Sequence, residues 1–183
     1  MTRTPKLKTL AAAAISAALL LLFLWFASEV YEGETLAFDI SVREWVHGFA
    51  SEKVTKFLLA ATYLGSAGAV VGASLAAAIW FLWNKDRRAA AAIATIVVGE
   101  LILNNVLKFS YARTRPEAYF NYPLPSSYSF PSGHSFGAFC LYLSFAYLLT
   151  RKIRSTAAVV TVWTVAVFVV LLIGLSRVYL GVH

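Results

Sequence analysis

One lysine, three arginines and two histidines that could handle phosphate are concentrated, with two serines and a glycine, in three short stretches of an otherwise oily chain. KFSYARTRP carries Lys108, Arg113 and Arg115, FPSGHSFGAF carries Ser132, Gly133 and His134, and SRVYLGVH carries Ser176, Arg177 and His183. Packed cations repel one another, and Glu117 is the nearest acid in sequence, so an anionic ligand is the simplest partner. The planar fork of arginine suits phosphate oxygens. A neutral imidazole can attack phosphorus to form a phosphohistidine, and a second, protonated imidazole can give its proton to the leaving oxygen. Cations around the group would neutralise charge on its equatorial oxygens as the transition state forms. No cofactor or metal is called for, and these stretches lack the carboxylate cluster that a magnesium site requires.

The PSGH stretch adds a backbone contact. Ser132 is suited to cap a helix, leaving the first N–H groups, at Gly133, His134 and Ser135, to point out of its positive end. That arrangement binds anions, and glycine lets them approach closely.

The elements that must carry these residues are membrane helices. Mean hydropathy is +0.70, with 60% hydrophobic and 14% charged residues among 183, far more apolar than a soluble domain. Five runs approach the roughly 20 apolar residues of a span: Leu10 to Ala27, Gly65 to Trp83, Ala89 to Leu107, Gly133 to Thr150 and Thr156 to Leu175. Their short connections predict one domain over 1–183, an all-α polytopic bundle. A cleaved signal peptide is the alternative for the first run, although it is long for one.

The net charge of +7 does not indicate nucleic acid, because the basic residues cluster at alternate loops. Arg3, Lys6 and Lys8, then Lys85, Arg87 and Arg88, then Arg151, Lys152 and Arg154 fall on one side, which the positive-inside rule makes cytoplasmic. The three motif stretches then face outward, together with an acid-rich segment from Glu29 whose apolar residues from Ile40 to Phe57 suggest short interfacial helices. Cys140, the lone cysteine, supports neither a disulfide framework nor a thiolate metal site.

Several residues admit two readings. Gly65, Gly68 and Gly72 give either a specific helix contact or general close packing. Asn104 and Asn105 are expected to link helices by hydrogen bonds, and the role of Glu100 is open. Arg113 is either substrate-approach charge or a solvated loop residue. Tyr111, Tyr119, Tyr122 and Tyr128 form an outer aromatic belt or line a path for a lipid tail. His47 reads as an interfacial polar residue.

Taken together, the stretches resemble the signature of the type 2 phosphatidic acid phosphatase superfamily of membrane lipid phosphatases. Lys108 is followed by six residues and Arg115-Pro116; Pro131 to His134 read Pro-Ser-Gly-His; Ser176-Arg177 is followed by five residues and His183. The resemblance implies that His183 is the nucleophile and His134 the general acid, with Lys108, Arg115, Ser132, Gly133 and Arg177 binding phosphate. It implies metal-independent hydrolysis of a lipid phosphate or diphosphate at the outer face of a bacterial-type cytoplasmic membrane. Undecaprenyl diphosphate, phosphatidylglycerol phosphate and phosphatidic acid are the candidate substrates, with membrane lipids as surroundings and no nucleic acid or obligate protein partner.

The family motif continues past the histidine with three residues, an aspartate and a sixth helix. On that pattern the chain is expected to be a C-terminally truncated form with five helices. By analogy with serine-protease triads, loss of an orienting aspartate can cost on the order of ten-thousand-fold in turnover. A non-catalytic anion-binding protein and a defective product are the competing readings; a relation to the soluble vanadium haloperoxidases fits poorly with five spans.

Overall fold

The computed structural model describes residues 4–182 of the chain. They form seven α-helices and a short 3-10 turn: α1 (Thr4–Glu32), α2 (Leu36–His47), α3 (Glu52–Leu64), α4 (Ala67–Trp83), α5 (Arg87–Tyr111), the turn Tyr119–Asn121, α6 (Gly133–Thr150) and α7 (Thr156–Tyr179). The chain divides into two compact units, Met1–Val42 and Arg43–His183. In the first, Leu19, Leu20, Leu21 and Trp25 of α1 are all exposed, as expected of a single span whose surroundings are lipid.

The second unit holds the bundle. Short polar residues start its helices: Ser51, Ser66, Asp86, Ser132 and Ser155 cap α3 to α7, each accepting from a backbone N–H three residues on. α6 packs against α4, α5 and α7, and α3 packs on α7. Thr9–Glu32, α5 and α7 are each long and apolar enough to cross a membrane. α3 and α4 together make a fourth such element, bent by 48°. α6 has 18 residues, which at 1.5 Å each gives about 27 Å, close to the hydrocarbon thickness.

The segment from Ile40 to Phe57 forms two short helices, as expected: α2 ends at His47, and α3 runs from Glu52 to Leu64 and lies against α7, burying Leu58, Ala61 and Thr62. The break between α3 and α4 falls at Gly65. A Cβ there would sit 2.6 Å from Ile173 Cγ2 and 3.1 Å from the His134 carbonyl oxygen, so only glycine lets the bend close onto the start of α6. Gly68 and Gly72, by contrast, would carry a Cβ into open space, so the glycine stripe is a contact at Gly65 alone.

At the far end of the bundle, Asp86 joins two connections. It caps α5 through the Ala89 N–H, and its Oδ2 accepts from Arg151 Nη2 at 2.7 Å. Beneath them Phe81, Ala89, Ala90, Ile93 and Leu148 form an apolar cluster. The three clustered basic residues of each connection therefore sit at the end where α4 and α6 finish, and the phosphate motifs sit at the other.

Candidate active site

α5 delivers Lys108 in its last turn, where the side chain is 7% exposed and donates from Nζ to the Tyr128 carbonyl. The helix stops at Ala112, which adopts a left-handed conformation (φ 44°) and turns the chain back toward the bundle. Arg115 then reaches across the following loop. Its Nε donates to the Ser127 carbonyl at 2.7 Å, Nη2 to the Tyr128 carbonyl at 3.1 Å, and Nη1 to the Val182 carbonyl at 3.0 Å. Burial first, and the Arg177 charge second, pull its guanidinium below the ordinary value.

Arg177, near the end of α7, is 1% exposed. Its Nη1 donates to Thr62 Oγ1 at 3.0 Å and to the Tyr122 hydroxyl at 3.4 Å, and its guanidinium lies 5.5 Å from the Tyr122 ring centre. Its Nε is buried without a hydrogen-bond partner. A buried arginine held by neutral hydroxyls keeps its full charge available to an anion.

α6 begins at this cluster. Ser132 accepts from the Ser135 N–H and hydroxyl, at 3.5 and 3.2 Å. Gly133 and His134 open α6, where the first backbone N–H groups of a helix lack intrahelical acceptors. A Cβ on Gly133 would fall 2.9 Å from Asn104 Nδ2 and 3.9 Å from Lys108 Cε, so a larger residue here would make the Asn104 side chain shift. The charges of Arg177, Arg115 and Lys108 all bear on His134. Beside these residues, α4, α5 and α6 enclose a cavity of about 230 Å³ lined by Glu100, Asn104, Lys108, Gly133 and His134 among others.

Five of the six described candidates, Lys108, Arg115, Gly133, His134 and Arg177, are thus gathered at one end of the bundle, with Ser132 capping the helix that carries two of them. The expected nucleophile, His183, lies outside the described residues.

Other expectations change. Asn104 is buried beside Glu100 in the cavity wall and abuts Gly133, whereas Asn105 donates to the Leu101 carbonyl of its own helix at 2.8 Å. Glu100 is buried in the cavity wall. Arg113 anchors the loop through its carbonyl, which accepts from the Ser129 N–H and hydroxyl. The tyrosines hold the loop in place: Tyr111 packs edge-on against Phe130, Tyr128 against Phe109, Tyr119 stacks on His47, and Tyr122 supports Arg177. His47 therefore sits in an aromatic cluster with Tyr119, Phe120 and Tyr179.

Sequence reasoning passed over Thr62 and Arg43, and singled out Tyr122 without connecting it to Arg177. Arg43 donates through Nη2 to the carbonyls of Glu117 at 2.8 Å and Gly181 at 3.2 Å. Its signal was available, since it is the sole lysine or arginine between Glu29 and Glu52.

A helical membrane bundle that collects three cations and a helix N-terminus at one end defines a class of integral membrane protein with a cationic pocket at the end of its helices. The comparisons agree with that class. Residues 88–183 match the PAP2 superfamily, and the chain belongs to it. Phosphatidylglycerophosphatase B of Bacillus subtilis (strain 168) is 44% identical over 85 residues, a match that spans 45% of this chain and 40% of that protein. The crystal structure of a transmembrane PAP2 type phosphatidylglycerolphosphate phosphatase from Bacillus subtilis superposes with a TM-score of 0.83 at 27% identity, covering 91% of this chain and 83% of that one.

Proposed function

We propose that the protein is a metal-independent lipid phosphate phosphatase. The observation that carries this reading is that Lys108 and Arg115 both donate to the Tyr128 carbonyl while Lys108 lines one cavity with Gly133 and His134 at the start of α6. Phosphate oxygens bind between the three cations and the Gly133 and His134 N–H groups. His183 attacks phosphorus, and the P–O bond to the lipid breaks as His134 protonates the departing oxygen. Neutral His134 then takes a proton from water, whose oxygen attacks the phosphohistidine, releasing inorganic phosphate and restoring both imidazoles. The cations stabilise charge on the transferring group at each step.

Phosphatidylglycerol phosphate is the preferred substrate on this reading, supported by the names of both Bacillus relatives. The basic connections tied by Asp86 and Arg151 support a cytoplasmic assignment for that end and an outward-facing site.

Phosphate release in detergent with EDTA, from phosphatidylglycerol phosphate, phosphatidic acid and undecaprenyl diphosphate, tests the proposal. Activity that is lost in both His134→Ala and His183→Ala supports it. Folded protein that binds phosphate yet turns over none of the three returns the weight to anion binding.

A further inference from the structure

We propose that Arg43 is a positioning residue that fixes, through the Gly181 carbonyl, the backbone leading into position 183. The inference rests on the proposed role of His183 as nucleophile.

Three consecutive carbonyls after α7 are each held from outside the helix. Leu180 O accepts from the Tyr119 N–H at 2.9 Å, Gly181 O from Arg43 Nη2 at 3.2 Å, and Val182 O from Arg115 Nη1 at 3.0 Å. All three residues are fully buried or nearly so. Past the last turn of a helix, backbone carbonyls lack intrahelical partners and the chain is free to choose its path. Here that path is specified residue by residue.

Of the three donors, Tyr119 acts through its main chain and Arg115 belongs to the phosphate site. Arg43 is the remaining side chain, and it comes from α2, outside every motif. Nη2 also donates to the Glu117 carbonyl at 2.8 Å, and the guanidinium lies 5.1 Å from the Tyr119 ring centre. Arg43 therefore ties the Glu117–Tyr119 segment and the end of α7 to one rigid plane. One turn along α2, His47 stacks on the other partner of this joint, with ring centres 3.8 Å apart from Tyr119. Behind it, Thr55 Oγ1 and the Tyr179 hydroxyl share a 2.6 Å hydrogen bond.

Gly181 shows how closely the clamp is fitted. It has φ +71°, and a Cβ there would sit 2.7 Å from Tyr119 Cδ2 and 3.1 Å from Arg43 Nη2. A nucleophile must stand about 3–3.5 Å from the atom it attacks, and a displacement of about 1 Å can cost roughly a hundredfold. Gly181 lies two residues before His183 in sequence, so the clamp acts on the backbone that leads to the proposed nucleophile.

The test compares wild type, Arg43→Ala, Arg43→Lys and the connection-loop variant Arg154→Ala, hydrolysing phosphatidylglycerol phosphate in detergent with EDTA. Melting temperatures are recorded alongside, and inhibition by orthovanadate and by inorganic phosphate is titrated. For Arg43→Ala we expect kcat to fall by about ten- to a hundredfold with KM nearly unchanged. Orthovanadate, which must bond to the nucleophile, should lose potency by a similar factor, while inorganic phosphate, which needs only the cations, keeps its own. Arg43→Lys, which can still reach one carbonyl, should recover part of kcat even if the alanine variant does not fold, and Arg154→Ala should match wild type. Wild-type kcat in Arg43→Ala, or a parallel weakening of vanadate and phosphate, overturns the positioning role alone. A wild type silent on every lipid overturns the phosphatase reading and this proposal with it.

Discussion

Arg115 and Val182 are joined by a 3.0 Å hydrogen bond from the arginine Nη1 to the valine carbonyl, across 67 positions of sequence. The bond makes one side chain serve two purposes. It gathers the loop after α5 through Ser127 and Tyr128, and it holds the end of α7 against the phosphate site.

Arg115→Lys keeps a positive charge but cannot reach three directions from one plane. Charged hydrogen bonds contribute about 1.5–3 kcal/mol, so we expect kcat/KM to drop by roughly ten- to a hundredfold. Steady-state kinetics of purified variant and wild type measure it; a lysine variant with full efficiency would show that charge alone suffices.

Gly65→Ala should be destabilising and Gly68→Ala should not. The first places a methyl 2.6 Å from Ile173 Cγ2 and close to the His134 carbonyl, whereas the second meets nothing within 4 Å. Overpacking of this kind costs about 1–3 kcal/mol. Thermal unfolding in detergent reads the difference, and phosphate release from Gly65→Ala should fall with it because the strain lands on the residue carrying His134.

Acid should weaken the opposite end of the bundle. The Ala89 N–H, and secondarily Arg151, hold the Asp86 carboxyl below its usual value of 3.8. A carboxylate lowered in this way stabilises the fold above the usual value, and that contribution is lost as pH falls through the lowered one. Asp86→Ala is therefore expected to melt below wild type at neutral pH, with the gap closing once both are taken below the acid range of Asp86. A gap that persists unchanged at low pH would assign the effect to something other than ionised Asp86.

Ser132→Ala removes the side chain that accepts from Ser135. Losing such a cap costs about 1 kcal/mol, and the frayed first turn would present its N–H groups to phosphate less well. Inhibition by inorganic phosphate should weaken severalfold, while Ser132→Asp, a good cap with the wrong charge for an anion site, should restore stability and weaken phosphate further.

The helices and the cation cluster were legible in the sequence for different reasons. Long apolar runs report the hydrocarbon thickness directly, and alternate basic loops report which helix ends share a side. Lys108, Arg115 and Arg177 were visible because cations clustered beside apolar runs with few acids near them demand a ligand. What supports them was not. Thr62 and Tyr122 are ordinary residues until folding brings them against Arg177, 115 and 55 positions away. Arg43 stands out as the sole lysine or arginine of its segment, but its partner Gly181 lies 138 positions away, which that signal does not reveal. The short helix α3 was expected from its polar start and mixed face, but its packing against α7 is tertiary and left no local signal.

The central claim is transfer of the phosphoryl group to His183. Rapid quenching of the protein with phosphatidylglycerol phosphate labelled in its terminal phosphate measures this directly. The account predicts a transient labelled protein whose linkage survives alkali and is cleaved by acid, present in wild type and absent from His183→Ala. Label that never joins the protein while phosphate is still released, or that joins equally well in His183→Ala, would contradict it.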